Sequence, residues 1–228
     1  LESAPPPVGS PVHMSHRFRP DSLPTEISVF PLAGALLLPR GNLPLNIFEP
    51  RYLAMVRAAI AGDRMIGMVQ PRSDDEPPGL YDIGGLGRIT QFAETDDGRF
   101  MIVLTGICRF RIERELETDT PYRRVAVSYA SYDADWQQPA PLSPAERAAL
   151  EDSLRRYLDS QDMSADWDAV STADDESLVN SLAGVCPFDI AEKQALLEAP
   201  DLNQRTSILT TLMSFAAGED GHDGQTMH

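Results

Sequence analysis

The sequence predicts an α+β fold: a twisted, mostly antiparallel β subdomain around one short helix, followed by a helical subdomain of about four helices. Three observations support this prediction. Apolar and polar residues alternate with period two in the first half of the chain, as in residues 108–113. Proline and glycine turns separate the apolar runs there. After residue 143 the apolar spacing becomes helical, and capping sequences precede the apolar runs.

The first elements are predicted in residues 27–60, which have the pattern of strand, turn, strand and helix. Pro44 keeps the second strand extended, because proline disfavours a helical conformation in the residue before it. Pro50 suits the first turn of the helix, where a missing N–H costs nothing. The apolar stripe of this helix and its glycine stop are Leu53, Val56, Ile60 and Gly62.

A charged and aromatic cluster, Phe48 to Tyr52, marks the junction of the second strand and the helix. One interpretation is a helix start in which Phe48 and Tyr52 pack and Glu49 pairs with Arg51. The other interpretation is the rim of a binding site built on the same residues. The sequence leaves both interpretations open.

Two motifs in the remaining β segment have the residue types of a ligand site but lack its spacing. Asp74, Asp75 and Glu76 are consecutive and lack the alternating spacing of a calcium loop, so they predict a solvated acidic loop. The glycine-rich run at 84–87 lacks the dinucleotide-binding spacing and precedes a β pattern. We interpret its glycines as positions for a β-bulge or a close approach of backbone. Further strands are expected at 65–70, 81–92, 100–105, beyond Gly106 and at 123–132, with a hairpin turn at 96–98.

Arginines are concentrated in the strands of this segment. They could form a basic patch for an acidic ligand. Acidic residues at 113, 115 and 117 are interleaved with them, and the pattern therefore favours cross-strand ion pairs. The alternation places the first of these arginines on the face opposite the apolar residues. The arginines are Arg109, Arg111, Arg114, Arg123 and Arg124.

The second half starts with a capping box in which Ser143 and Glu146 flank Pro144. Later helices are expected at 175–185 and after the capping residues Asp189 and Asp201. The predicted organisation is a disordered leader at 1–26, a β-rich subdomain at 27–133, a linker at 134–144, a helical subdomain at 145–215 and a disordered acidic tail at 216–228.

Composition narrows the classes of partner. The net charge of −16, from 35 acidic and 19 basic residues, disfavours nucleic acid and anionic membranes, because both require a basic face. We recognise neither an apolar run of membrane-spanning length nor a secretory signal. Cys108 and Cys186 lack a CxxC spacing and are expected to be free, buried thiols. We therefore expect a cytoplasmic protein, and its lysine-poor, arginine-rich composition is typical of a GC-rich bacterial source.

The residue types that catalysis needs are scarce. Lys193 is the single lysine and lies in a helical pattern, so we expect neither a phosphate-binding loop nor a Ser-Lys dyad. We predict that the chain is not an enzyme, with no catalytic residue, no metal and no cofactor. The four histidines all lie in the polar end segments: His13, His16, His222 and His228.

Residues 44–52, Pro-Leu-Asn-Ile-Phe-Glu-Pro-Arg-Tyr, form the most specific of several segments that match a known family. Together with the other segments they resemble the Lon N-terminal domain, also called the Lon substrate-binding domain. The resemblance covers residues 27–215 and is stronger to short Lon-domain proteins without ATPase or protease domains than to full-length Lon protease. The other matching segments are 29–32, 36–39, 81–89, 104–110, 174–213 (chiefly 187–197) and 203–205.

This resemblance implies that the β part is a PUA-like pseudo-barrel. It also implies a non-catalytic recognition module that binds unfolded or apolar polypeptide segments, or a protein partner, in connection with proteolysis or protein quality control. An alternative is a PUA-like protein that binds RNA or a small ligand. The sequence predicts no oligomeric state. The candidate groove residues are Phe30, Pro31, Leu45, Phe48, Glu49, Arg51 and Tyr52.

Overall fold

The computed structural model describes residues 22–73, 75 and 77–219. The predicted leader up to residue 21, the tail from residue 220, Asp74 and Glu76 lie outside the described residues. The strands are β1 Glu26–Pro31, β2 Asn42–Ile47, β3 Met65–Val69, β4 Ile83–Glu94, β5 Phe100–Leu116 and β6 Arg124–Ser128. The helices are α1 Pro50–Ala61, α2 Pro144–Ser160, α3 Trp167–Thr172, α4 Asp175–Val185, α5 Ile190–Glu198 and α6 Leu202–Glu219, with a 3-10 helix at Asp133–Trp136.

The sheet closes on itself through its longest strand, β5. The strand order is β2-β5-β4-β3-β1-β6, and an additional pairing joins β5 to β6. The first half of β5 pairs with β2 and its last part pairs with β6, while β4 follows β5 along most of its length. Only the β1–β3 pair is parallel among the pairings of the described strands. This topology confirms the predicted α+β pseudo-barrel, with β2 attached outside the closed ring.

Two glycines allow the segment between β1 and β2 to pack directly on the barrel. A Cβ atom on Gly85 would overlap the carbonyl oxygen of Leu37, and one on Gly106 would overlap that of Leu38. The β4–β5 register also shifts between Leu86 and Gly87. These contacts confirm the interpretation of the glycines as positions of close backbone approach and a bulge.

The leucines of this connecting segment divide between two cores. Leu37 packs in the β core around α1, whereas Leu36 and Leu38 pack in the core of the helical part. The segment is therefore an irregular chain that joins the two cores. Gly34 adopts a positive φ of 74°, and its N–H donates to the Gln70 side chain at 2.9 Å.

The helical part follows the predicted capping sequences. Both hydrogen bonds of the capping box at Ser143 are present, and so are both bonds of the box at Asp189. The structure adds α3, which makes five helices after residue 143 where about four are predicted. The Arg155 guanidinium lies 4.1 Å from the centre of the Trp167 ring of this helix. Helix α6 continues to residue 219, so residues 216–219 are helical and not disordered.

Arg109 links the barrel to the helical part. It therefore belongs neither to a basic patch nor to one of the predicted cross-strand ion pairs. Its side chain is 3% exposed and binds the Asp135 carboxylate, with Nη2 2.7 Å from Oδ1. Nη1 donates to the carbonyls of Leu197 and Ala199 at the end of α5. Asp135 lies in the stretch 134–144 that the sequence presents as a linker. This pair joins three segments that are distant in the sequence.

A second arginine continues the same network. Arg40 binds the Glu176 carboxylate of α4, with Nε 2.8 Å from Oε2. Its Nη1 donates to the backbone oxygen of Asp135 at 2.5 Å. The connecting segment, the 3-10 helix and α4 are therefore held together by charged hydrogen bonds.

Candidate functional site

Two residues with potentially reactive side chains, Lys193 and Cys108, are buried in the described part of the chain. The Lys193 ammonium is buried and donates to the carbonyls of Ala183 and Gly184, at 2.9 and 2.6 Å, at the end of α4. Burial lowers the pKa of Lys193. Burial raises the pKa of the Cys108 thiol, and the Asp135 charge raises it further, so this thiol is protonated at neutral pH. Within the described ranges, no group of three or more His, Cys, Asp or Glu residues could hold a metal ion.

Three of the five strand arginines form ion pairs with carboxylates of the described residues. Arg123 binds Glu115 through two bonds of 2.6 Å, which confirms the predicted pairing between strands. Arg124 lies 3.7 Å from Glu26. Arg109 is buried where the barrel meets the helical part, a place that we call the junction. Because three of the five charges are compensated, the strand arginines do not present the continuous basic face that RNA binding requires.

The predicted groove residues separate into core and surface. Phe30, Leu45 and Tyr52 are buried around α1, and the Phe30 and Tyr52 rings lie 4.1 Å apart. Glu49 and Arg51 form the predicted ion pair at 2.9 Å. Both side chains are partly exposed, so this pair contributes little to stability.

Phe48 is the exception in this cluster. The prediction that it packs with Tyr52 is wrong, because Phe48 is 62% exposed. The Arg99 guanidinium lies 5.9 Å from its ring centre. A single exposed apolar side chain is normal on a protein surface, so Phe48 indicates a binding site only together with exposed apolar neighbours.

A first concave surface lies beside the start of α1. Pro31, Arg51 and Tyr52, from the predicted set, line a cleft of about 320 Å³. Four more prolines contribute to its wall, at positions 71, 77, 78 and 121. Both arginines of this cleft, Arg51 and Arg123, already bind carboxylates, which limits their attraction for an anionic ligand.

A second surface is the outward side of β2, β5 and β4. The register aligns Pro44 with Val103 and Asn46 with Met101, and Met101 with Ala93. Because side chains alternate along a strand, these residues face away from the core side that carries Phe100 and Ile102. Met101 is 45% exposed. We call this surface the outer face and define it by Pro44, Phe48, Ala93, Met101 and Val103.

The residue alternation in β5 indicates the outer face, although the predicted groove residues include only one residue of that face. Phe100, Ile102 and Leu104 alternate with Met101 and Val103 in β5, and the first three are buried. An apolar residue on the opposite side of a strand with a buried face must lie outside the core. Of the predicted residues, only Phe48 belongs to this surface.

A third surface lies between β2 and α4, and we call it the junction groove. Its volume is about 330 Å³. The connecting segment and β2 contribute one wall, and α4 contributes the other. We define it by Leu38, Arg40, Asn42, Pro44, Asn180, Ser181 and Val185.

Comparison with known proteins places this geometry in a family. The family model described as the ATP-dependent protease La (LON) substrate-binding domain matches residues 26–214. The chain belongs to this family. The match confirms the resemblance carried by residues 44–52 and extends over both the barrel and the helical part.

Solved structures of Lon substrate-binding domains share the fold. A Lon N-terminal domain protein from Xanthomonas campestris is 26% identical, with a TM-score of 0.58, covering 82% of this chain and 98% of that chain. The N-terminal domain of Mycobacterium avium complex Lon protease is 19% identical, with a TM-score of 0.59, covering 83% of this chain and 98% of that one. The second likeness shows the fold alone.

The curated relatives of this Lon substrate-binding domain are much longer proteins. Lon protease 2 of Myxococcus xanthus is 27% identical over 205 residues, which is 85% of this chain and 24% of that protein. Lon protease of Escherichia coli is 24% identical over 193 residues, 82% of this chain and 24% of that protein. The chain thus spans about a quarter of the length of the relatives it matches. Among its described residues, no helix combines the length and apolar character that crossing a bilayer demands.

Proposed function

We propose that this Lon substrate-binding domain is a non-catalytic recognition module that binds apolar segments of unfolded polypeptides through its outer face. The observation that carries the proposal is the exposure of Phe48 and Met101 on the same outward side of β2 and β5. Apolar side chains of an unfolded polypeptide can cover such an exposed apolar surface, and this contact does not require a specific sequence in the polypeptide.

The outer face has the properties that such binding requires. Pro44 and Met101 stand on the paired strands β2 and β5, and Phe48 directly follows β2, so the backbone that presents these side chains is ordered before a ligand binds. Full burial of a Phe or Met side chain stabilises by about 1.5–3 kcal/mol, and these side chains are roughly half exposed in the free protein. Each would therefore contribute about 1–2 kcal/mol to binding.

The family supports the same proposal. The matching model describes a substrate-binding domain, and the relatives are named Lon proteases. We place the activity of this chain in proteolysis or protein quality control, with unfolded polypeptides or a protein partner as ligands. A cytoplasmic location suits this role, because both cysteines are free and buried.

Replacing Phe48 with serine should weaken the binding of an unfolded protein about tenfold, because about 1.4 kcal/mol of apolar contact is lost. The probe is fluorescein-labelled lysozyme, reduced and carbamidomethylated, and the measurement is fluorescence anisotropy at 50 and 500 mM NaCl. The dissociation constant of the wild-type protein should change less than about threefold between the two salts, since apolar contacts are not screened.

Phe215 provides the matched control, because it is 68% exposed on α6 in the helical part. Phe215→Ser should leave the dissociation constant within about twofold of wild type. If the wild-type protein does not bind the probe at either salt concentration, or if both variants weaken binding equally, the outer face is not the site proposed.

A further inference from the structure

Side-chain amides flank the apolar residues of the outer face on both sides. Strand β5 lies between β2 and β4 and contributes Met101 and Val103 to this face. Asn46 of β2 lies directly opposite Met101, and Gln91 of β4 lies directly opposite Val103. Side chains that are directly opposite on paired strands point to the same side of the sheet. Asn46 and Gln91 are both exposed, so each flank of β5 presents an amide to a ligand.

These two amides differ from a third one on the same side of the sheet. The Asn42 side chain accepts a hydrogen bond from the Thr105 hydroxyl at 2.8 Å, and the Thr105 and Thr90 hydroxyls lie 3.0 Å apart. Among the described residues, Asn46 and Gln91 have no such side-chain partner. Their donors and acceptors therefore face water and are available to a ligand.

The outward positions around these amides carry no formal charge, although the chain has a net charge of −16. The positions are 42, 44 and 46 in β2, 101, 103 and 105 in β5, and 91 and 93 in β4. Arg99, next to the Phe48 ring, is bound to the Asp97 carboxylate at 2.9 Å. The face thus does not select its ligand by charge, in agreement with the salt-insensitive binding expected for it.

A polypeptide that covers the apolar residues of this face also brings its backbone N–H and C=O groups to the surface. Removing a peptide group from water without a new hydrogen bond costs free energy. A purely apolar face would impose this cost on each peptide group that it covers. A side-chain amide offers both donors and an acceptor, so it can pair with either group of a peptide bond, whatever the sequence of the ligand.

The spacing of the two amides corresponds to a short segment. Neighbouring strands are about 4.8 Å apart and residues advance about 3.4 Å along a strand, so the Cα atoms of Asn46 and Gln91 lie roughly 12 Å apart across β5. An extended segment of about four residues spans this distance. Such a segment would reach both amides and cover Met101 and Val103 between them.

We infer that Asn46 and Gln91 are specificity-determining residues of the outer face. Their amides form hydrogen bonds with backbone peptide groups of a bound polypeptide, while its apolar side chains contact Met101 and Val103. This inference rests on the proposed function and specifies its ligand class: the ligand is recognised by its peptide groups as well as by its apolar surface.

Replacing Asn46 with leucine and Gln91 with methionine in one variant tests the inference, because apolar side chains of similar size take the place of both amides. Recognition by apolar surface alone predicts tighter binding of the labelled unfolded lysozyme. Recognition through the amides predicts about fivefold weaker binding, because hydrogen bonds to the ligand are lost. Gln204→Met is the control at an exposed amide of α6, and it should stay within twofold of wild type. Urea unfolding of both variants checks that the fold is kept.

The outcomes separate this inference from the proposed function. If the double variant binds the probe within twofold of wild type, or more tightly, while Phe48→Ser binds weakly, the inference is overturned and the proposed function stands. The inference is also overturned if Gln204→Met weakens binding as much as the double variant does. If the wild-type protein does not bind the probe, the proposed function itself fails.

Discussion

Replacing Gly106 with alanine should destabilise the protein by more than about 4 kcal/mol, a large part of the stability of a typical domain. The added Cβ would overlap the Leu38 carbonyl oxygen, which belongs to backbone and cannot rotate away. Relief of this overlap requires the connecting segment to leave the barrel, which would disturb both cores that its leucines join. The measurement is the urea unfolding free energy, together with the soluble yield.

Gly184→Ala is the matched control for this prediction. Nothing lies within 4 Å of the position of its Cβ, and the residue is in α4. Alanine favours a helix over glycine by about 0.5–1 kcal/mol, so this variant should be equally stable or more stable. A Gly106→Ala protein that unfolds within about 1 kcal/mol of wild type would show that the connecting segment does not pack on β5 as described.

Replacing Asp135 with alanine should destabilise the protein by about 3–5 kcal/mol. The change leaves the Arg109 guanidinium buried without its carboxylate and also removes the bond of 2.8 Å from the Arg109 backbone N–H to Asp135 Oδ2. The expected cost is the penalty for an uncompensated buried charge, which exceeds the net value of the intact pair. Thermal and urea unfolding measure it.

Glu115→Ala is the control for the junction pair. It removes the partner of Arg123, but Glu115 is about half exposed, so the expected cost is about 0–1 kcal/mol. The double change of Arg109 to methionine and Asp135 to leucine should recover only part of the loss, because the carbonyls at the end of α5 then lose their donor. Equal effects of Asp135→Ala and Glu115→Ala would contradict a buried junction.

Local sequence patterns predicted the strands and helices that depend on interactions between residues close together in the chain. Alternation located β5 and the buried residues of β6, and the capping sequences located the starts of α2 and α5. The glycines near residue 85 were correctly interpreted because their spacing excluded a nucleotide loop. Helix α3 was missed because six residues are fewer than two turns and show no apolar period.

The junction could not be predicted, because its contacts join residues without a shared pattern. Arg109 alternates as an outward residue of β5, and the 3-10 helix at Asp133–Trp136 and the end of α5 cover its side chain. Likewise, the cluster at Phe48 to Tyr52 predicted a helix start but not which aromatic ring would face water. That outcome depends on the pairing of β2 with β5, which aligns Ile47 with Phe100 and leaves Phe48 beyond the core.

Site-specific photocrosslinking tests the outer face most directly. In four separate variants, p-benzoylphenylalanine replaces Phe48, Met101, Phe215 or Met163, all of which are exposed in the free protein. Each variant is irradiated with the unfolded lysozyme probe, and crosslinked yield is measured. We predict crosslinks from positions 48 and 101 that exceed those from 215 and 163 by at least fivefold. Equal yields at all four positions, or higher yields from positions 215 and 163, would contradict recognition by the outer face.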